Sequence, residues 1–582
     1  MLTPLPTIPI HLIFLLSILS AGIANATNYY VDAAAPNDSG NGSISAPKKT
    51  LSAGVNLMSP NGGDILTVRA GTYSSALDEL VTLVNGKAGS YNTIKAATDG
   101  SVVITANLNL TSNAAYIRFE GLKWKSPLTK SILGHHLKFL RCAFIEGPPS
   151  GNEMTLSIGT NDVTPGAQYI LLEDVWVFGP GGRYNIIVYN SDKIILRRVV
   201  VRHDGGWSDT KGDPEAGIAI YNSSDTQIQN GMVVDSNLPY YYWEKAFYNV
   251  KNSSSLNPHR NTKISGSIAL NNVSDGFGYD DAGPIENAVI ENSVAWNTGG
   301  GVALGGGSAG GHSVIARNLT VGATSGHAYS NYGANSTLDV SNAVAYGNSG
   351  NAFGGSDPIT HSFNDCNSNS GGNCSATGEI SLNPLNNGLK YLPRIEAASA
   401  LKTAGLGGGQ IGAELVKRIG ASETLFGEAG YDAVTSENLW PWPYQQRIKT
   451  EMCNDAGISR GFCSASSLTH YVWEYLGNAC PIDICSAPST GPPIVTLSAI
   501  PLSVPAGSST TLIWSSTNAT TCAASGAWSG VKAISGTETQ PVTTTPALYA
   551  LACTGVGGRV TQSVTVMVIS AMATSPPSNQ PH

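Results

Sequence analysis

The sequence predicts an all-β chain, a parallel β-helix followed by a small β-sandwich. Three observations carry that prediction. First, a short phrase recurs: an apolar residue, a spacer, a small or polar residue, two spacers and another apolar residue. It reads Leu196 to Val201, Ile228 to Val233, Ile264 to Ala269 and Ile290 to Ala295. It extends backward through Phe119, Phe139 and Leu172 and forward through Ala316 and Val340, giving nine repeats whose first residues lie 20 to 36 apart. A period of that length marks a solenoid, and short alternating strands rather than helical spacing make it a β-solenoid. Second, only 12% of the 582 residues are charged and 66 are glycine, which suits a turn-rich extracellular β-protein. Third, beyond a Pro/Ser/Gly stretch, residues 494 to 569 alternate apolar and Thr/Ser positions around Trp514, the pattern of a sandwich.

In chain order, residues 8 to 23 are apolar and end at Ala24-Asn25-Ala26, a small-x-small cleavage form. Residues 1–26 therefore read as a signal peptide, and the mature protein as secreted or displayed at the cell surface. No later stretch is long and apolar enough to cross a membrane. Residues 27–413 form the solenoid, with residues 49 to 58 as an N-terminal cap over the exposed first coil. Coils are expected from about residue 100 to about 350, with the periodicity fading from Asp357. Asn230, Asn292, Asn318 and Asn342 share one repeat position and are expected to ladder amide to amide. The eight glycines between Gly299 and Gly311 lack the Lys-Ser/Thr pair of a phosphate loop and read as a tight turn.

Residues 414–485 form a C-terminal cap with one helix, started by Ser467 and stopped by Gly477, whose aromatics are expected to seal the solenoid end. Residues 486–493 are a linker, 494–570 the sandwich, and 571–582 a Pro/Ser-rich disordered tail. Eight cysteines fall in local pairs, Cys366 with Cys374, Cys453 with Cys463, Cys480 with Cys485 and Cys522 with Cys553. Four disulfides agree with export, and Cys142 is left as a buried thiol. The net charge of -8, with no Lys/Arg run, excludes a nucleic-acid partner.

Tyr29-Tyr30-Val31-Asp32, Gly40-Asn41-Gly42, Ala46 to Leu51 and Gly63 to Tyr73 resemble the opening of secreted proteins of the pectate lyase-like, right-handed parallel β-helix superfamily. Tyr391 to Gly405 and Gly407 to Ala413 resemble its closing phrase, with Gln410 where the family has aspartate. Residues 494–570 resemble a bacterial immunoglobulin-like module. The resemblance implies a polysaccharide, possibly acidic, as partner.

Seven residues after four successive repeat origins stand His203, Asp235, Asn271 and Asn297, a polar column. The turns after three of them are long. They carry Asp204, Trp207, Asp209, Lys211, Asp213 and Glu215, then Tyr240-Tyr241-Tyr242-Trp243 and Lys245, then Asp275, Asp280 and Asp281. Loops leaving adjacent coils at one corner predict a cleft, with Trp207, Tyr240, Tyr241, Tyr242 and Trp243 stacking on sugar and Asn271 and Asn297 bonding to it. Asp275-Gly276-Phe277 with Asp280-Asp281, followed by Glu291 to Asn297, resembles the calcium-bearing coil of family 9 polysaccharide lyases. That likeness implies Ca²⁺ on Asp275, Asp280 and Asp281, with Asp235 completing the set, neutralising a uronate for β-elimination. The lysine base of those lyases has no counterpart after Asp281. Lys211, Lys245 or His203 would take its role, and Arg202 or Arg260 would stabilise the enolate-like charge. Two other readings stand beside this one: hydrolysis by paired carboxylates among Asp204, Asp209, Asp213, Glu215 and Asp235, and a non-catalytic surface, matrix or adhesion protein whose polar column is a structural ladder.

Overall fold

The computed structural model describes residues 27–149, 151–161, 166–205, 214–236, 244–252, 255–280, 283–305, 311–485, 493–505, 507–517, 519, 521–555 and 558–569. Among these residues the chain visits three long sheets in fixed rotation, of thirteen, twelve and ten strands. One coil shows the order: Asp192–Arg197 lies in the first sheet, Val200–His203 in the second and Ala216–Tyr221 in the third. Pairing between successive coils is parallel in all three. This is a parallel β-helix.

The repeat phrase sets the register. Phe119, Phe139, Leu172, Leu196, Ile228, Ile264, Ile290, Ala316 and Val340 are paired one to the next along the thirteen-stranded sheet. All nine point into one continuous core, where each large aliphatic side chain contributes about 1.5–3 kcal/mol of burial. Aromatic pairs continue the column, with Phe119 stacked on Phe139 at 4.6 Å and Phe247 on Phe277 at 5.2 Å. The third position of the phrase, small or polar in sequence, is a left-handed bend in every repeat. Gly121, Arg141, Asp174, Arg198, Asn230, Gly266, Asn292, Asn318 and Asn342 have φ between 49° and 67°, a region where glycine and asparagine are tolerated best.

The asparagines at that bend do not ladder with one another as expected. The chain beyond the last coils folds back along this corner as a strap, and each asparagine bonds to the strap's backbone. Leu406 donates its amide to Asn342 (2.8 Å), Asn318 donates to the Gln410 carbonyl (2.7 Å), and Asn292 holds both amide and carbonyl of Glu414 (2.6 and 2.5 Å). Ile419 donates to Asn230 (2.7 Å). Farther down, Arg197 donates to the carbonyls of Ala421 (2.7 Å) and Tyr431 (2.9 Å), and Arg118 pairs with Glu423 (2.7 Å). A side-chain amide carries one acceptor and two donors, so an asparagine in each coil can stand in for the neighbouring strand that the strap lacks. The strap then turns back along the next corner, where Trp176 donates to Glu451 (2.7 Å) and the Cys453–Cys463 disulfide sits.

Both caps form. Helix Leu51–Val55 covers the first coil, its start fixed by the Thr50 side chain. Helix Leu468–Glu474 begins at Ser467, whose hydroxyl accepts the His470 amide. The solenoid continues beyond the expected fading point, through strands Ile359–Ser362 and Asp365–Asn367, with the Cys366–Cys374 disulfide at that coil. Cys142 is buried and free.

Contacts divide the chain into two units, residues 1–479 and 480–582. The second holds a three-stranded and a five-stranded sheet around Trp514, Trp528 and Tyr549. Cys522 and Cys553 are register partners on neighbouring strands of one sheet and are bridged, and Cys480 is bridged to Cys485. Among the described residues no helix is long and apolar enough to cross a membrane. Residues 1–26 lie outside the described residues.

Candidate functional site

The polar column exists, but the strap occupies it. Asp235 is 1% exposed and accepts hydrogen bonds from Asn271 (2.9 Å), the Phe462 amide (2.8 Å) and the Tyr471 hydroxyl (2.7 Å). Asn297 donates to Asn271 (2.5 Å) and to the Tyr475 hydroxyl (3.2 Å). Burial and the nearby Asp235 push the Tyr471 phenol far above its ordinary value, so it stays a donor. The helix aromatics thus cover a flank of the solenoid rather than its end. Arg202 is buried, gripping Asp204 (2.6 and 3.1 Å) and the Cys463 sulfur (2.9 Å). His203 is buried as well, its ring between Glu244 and the Gly182 carbonyl (3.1 Å). As catalytic, ligand or sugar-binding groups, Arg202, His203, Asp235, Asn271 and Asn297 are therefore corrected to structural ones. Arg202, Asp235, Asn271 and Asn297 bond to the returning chain, and the His203 ring is held within the solenoid by Glu244 and the Gly182 carbonyl.

The open surface lies on the ten-stranded sheet. Period two along its strands sends Phe247, Phe277, Val302 and Tyr329 into the core and leaves Tyr248, Gly278, Ala303 and Ser330 as an outward row in register. Three small residues in succession leave a hollow of about 280 Å³. Lys245, Asp275, Asp280, His327 and Tyr332 stand around it. The next outward row, Tyr189, Tyr221, Val250 and Asp280, continues the wall toward earlier coils.

Each wall residue is held differently. Asp280, at the exit of strand Phe277–Asp280, accepts the Tyr248 hydroxyl (3.2 Å). Burial, with Asp280 beside it, raises the Tyr248 phenol well above its ordinary value and keeps it a donor. Lys245 lays its stem over Gly278 and its ammonium 4.4 Å from the centre of the Tyr248 ring. The carboxyl of Asp275, just before the same strand, receives no hydrogen bond from the described residues, its backbone carbonyl alone accepting from the Ala246 amide (2.9 Å). Burial raises its carboxyl above the usual 3.8, opposed by Lys245 and reinforced by Asp280. His327 accepts the Asn351 amide at Nδ1 (2.9 Å), which leaves Nε2 to donate. Its ring rests on Gly354, where a Cβ would come within 2.6 Å. Upstream, Glu215 accepts the Tyr184 hydroxyl (2.8 Å) and pairs with Arg183, and Tyr184 and Tyr221 share a bond of 2.9 Å.

Of the residues expected from sequence, Lys245, Asp275 and Asp280 meet in this hollow. Lys211, Trp207, Asp209, Asp213, Tyr240, Tyr241, Tyr242, Trp243 and Asp281 lie outside the described residues. Arg260 is exposed at another corner, beside Asp225 and Asn257. Of the expected calcium ligands, Asp235 faces the strap, apart from Asp275 and Asp280, which face the hollow. Among the described residues no three His, Cys, Asp or Glu side chains converge on a metal position. Tyr248, His327 and Ser330 were missed. A gap of small residues beside Tyr248, visible by aligning coils at equal offset, was the available signal.

Fold and site together define a β-helix protein with a carboxylate-walled hollow on one sheet. No protein-family model matches the chain, and no curated protein matches it. Solved structures similar to it include a GH136 lacto-N-biosidase from Eubacterium ramulus, at 12% identity over 54% of this chain, with a TM-score of 0.35. The chain spans 64% of that protein's length. Similar too are the catalytic domain of a GH87 alpha-1,3-glucanase (11%, 57% of this chain, 67% of that one, TM-score 0.34) and a PL6 family polysaccharide lyase from Pseudopedobacter saltans (12%, 60%, 89%, 0.32).

Proposed function

We propose that this protein is an exported glycan-cleaving enzyme that hydrolyses glycosidic bonds in the hollow of the ten-stranded sheet. The observation that carries the reading is Asp275, a carboxyl without a hydrogen-bond partner among the described residues, raised by burial and opening onto the hollow. A general acid is served by a carboxyl that holds its proton more firmly than a solvated one and stays uncommitted until substrate arrives. Asp275 gives its proton to the leaving glycosidic oxygen. Asp280, steadied by Tyr248, takes the second role, as base toward water or as stabiliser of the oxocarbenium-like centre. The two carboxylates stand at opposite ends of one strand with the hollow between them, which leaves room for a sugar. Lys245 and His327 supply donors to its hydroxyls. Four disulfides support an oxidising destination.

Elimination would ask Lys245 to act as base while another group neutralised a uronate. One experiment separates the outcomes. A panel of polysaccharides is incubated with the protein, with and without a chelator, and both new reducing ends and the ultraviolet absorbance of unsaturated products are followed. Reducing ends without absorbance are expected. Absorbance that grows with them, and stops on chelation, would establish calcium-assisted elimination instead. Neither signal from folded protein would favour a surface or adhesion role.

Gly278 gives a finer test. A Cβ at this position would lie 2.8 Å from Lys245 Cδ and 3.3 Å from Tyr248 Cδ2. The flexible lysine stem gives way first, so Gly278→Ala is expected to change the melting temperature little while lowering turnover several-fold. An unchanged rate would remove Lys245 from the site.

A further inference from the structure

At the corner where the ten-stranded sheet passes into the thirteen-stranded one, two asparagines stand in register. Tyr189 pairs with Tyr221, and the residues that follow them, Asn190 and Asn222, both bend left-handed, with φ of 50° and 47°. They are 6% and 2% exposed. Backbone partners fix which way each amide points. Asn190 donates from Nδ2 to the Thr160 and Asn161 carbonyls (2.9 and 3.2 Å), and Asn222 accepts the Asn252 amide at Oδ1 (2.9 Å). The other half of each amide, the Asn190 oxygen and the Asn222 nitrogen, has no hydrogen-bond partner among the described residues, a costly state for buried groups.

Both side chains line a cavity of about 240 Å³, room for several waters at about 30 Å³ each. Its wall also carries Asp192, Lys193, Asp225 and Arg260. Lys193 pairs with Asp192 and stands 3.8 Å from Asp225. One unused acceptor beside one unused donor does not suit a cation, which wants oxygens throughout, or an anion, which wants donors. A hydroxyl gives and takes in one group, and the mixed carboxylates and cations of the wall suit its neighbours on a sugar ring. From the hollow, the outward row Asp280, Val250, Tyr221 and Tyr189 leads to this corner. Three coil steps of about 4.8 Å make that path about 14 Å long.

We infer that the corner cavity is a second glycan-binding site, in which Asn190 and Asn222 hold hydroxyls of one sugar while the same chain runs along the row toward the hollow. The choice of a glycan rests on the reading of the protein as glycan-cleaving, yet binding at the corner and cleavage in the hollow can fail separately.

The test uses the full-length protein with soluble glucan, galactan and mannan. Affinity electrophoresis gives binding, and reducing ends give cleavage. Asn222→Asp keeps an acceptor for the Asn252 amide and a bend that aspartate tolerates, but it puts an oxygen where the donor was. Arg260→Ala alters an exposed side chain of the wall, so it serves alone if Asn222→Asp melts well below the wild type. At least one polymer is expected to bind the wild type, Asn222→Asp to hold it about tenfold less tightly, a difference of about 1.4 kcal/mol, and Arg260→Ala severalfold less. Binding unchanged in the folded variants would overturn the inference and leave the cavity to water, and reducing ends from the wild type would then let hydrolysis survive without it. Binding that the variants lose, with no reducing ends from the wild type, would sustain the site and sink the hydrolytic reading. Failure of every polymer to bind the wild type counts against both.

Discussion

Replacing Asp275 with asparagine is expected to lower glycan turnover by about 10²–10⁴-fold, the usual contribution of a general acid, and at the same time to raise the melting temperature at neutral pH. The two effects share one cause. Burial raises this carboxyl above 3.8, with Lys245 opposing the shift and Asp280 adding to it, so the folded state disfavours its ionised form. A raised acid is a stability contribution fully present below the unfolded value and lost as pH rises through the folded one. Asparagine cannot ionise, so the variant's advantage should grow from about pH 4 upward, near the unfolded carboxyl value, and vanish in stronger acid. The same titration makes wild-type activity fall on the alkaline side as Asp275 loses its proton. Melting scans of both proteins across pH, read beside initial rates, check this. A variant less stable than wild type at neutral pH would show that Asp275 is a structural carboxylate and not a poised acid.

The largest stability effect should come from Glu173, where the strap grips the solenoid. This carboxylate is 3% exposed and accepts from Arg197 (2.8 Å), Arg198 (2.6 Å), Ser422 (2.9 Å) and the Glu423 amide (2.8 Å). Burial alone would raise it, but Arg198 and Arg197 outweigh that and hold it below 4.5. Glu173→Ala leaves two buried guanidinium groups short of a counter-charge, a change that costs about 3–5 kcal/mol. Arg198 keeps Asp174, while Arg197 keeps Gln229 and strap carbonyls, so the lower end of that range is expected. A depressed acid stabilises above its unfolded value and stops doing so as pH falls through the folded one. The difference from wild type should therefore shrink below about pH 4, where the carboxylate takes up its proton. Denaturant melts of the full chain measure it, and a loss under about 1 kcal/mol at neutral pH, the worth of an exposed ion pair, would mean that residues 421–431 do not clamp there.

Much of the solenoid was legible because its physics is local and periodic. Core side chains must recur at fixed offsets, so the phrase beginning at Leu196 disclosed the register of nine coils, and the small or polar third position disclosed a bend. The partner of that bend was not legible. Asn230 meets Ile419 and Asp235 meets Phe462, contacts 189 and 227 residues apart, made by an irregular segment that carries no period to align. A column of polar residues looks the same whether it awaits a ligand or a returning piece of its own chain. The hollow was half legible. Lys245, Asp275 and Asp280 stood out as reactive types in or beside long turns, whereas His327 and Tyr248 sit in ordinary coils and acquire meaning from the small residues at Gly278 and Ala303.

A solenoid built from coils that touch only their neighbours unfolds like a zipper, fraying inward from either end, with stability that sums over adjacent pairs. The strap changes that arithmetic. One continuous segment is bonded to coils from Asn342 back to Arg118, so no coil beneath it can open without loosening the grip on the others. The ten-stranded sheet lies on these same coils, and its hollow is stiffened from behind. The wall between Asp275 and Asp280 thus keeps its shape through long-range cooperativity that a bare stack of coils would lack.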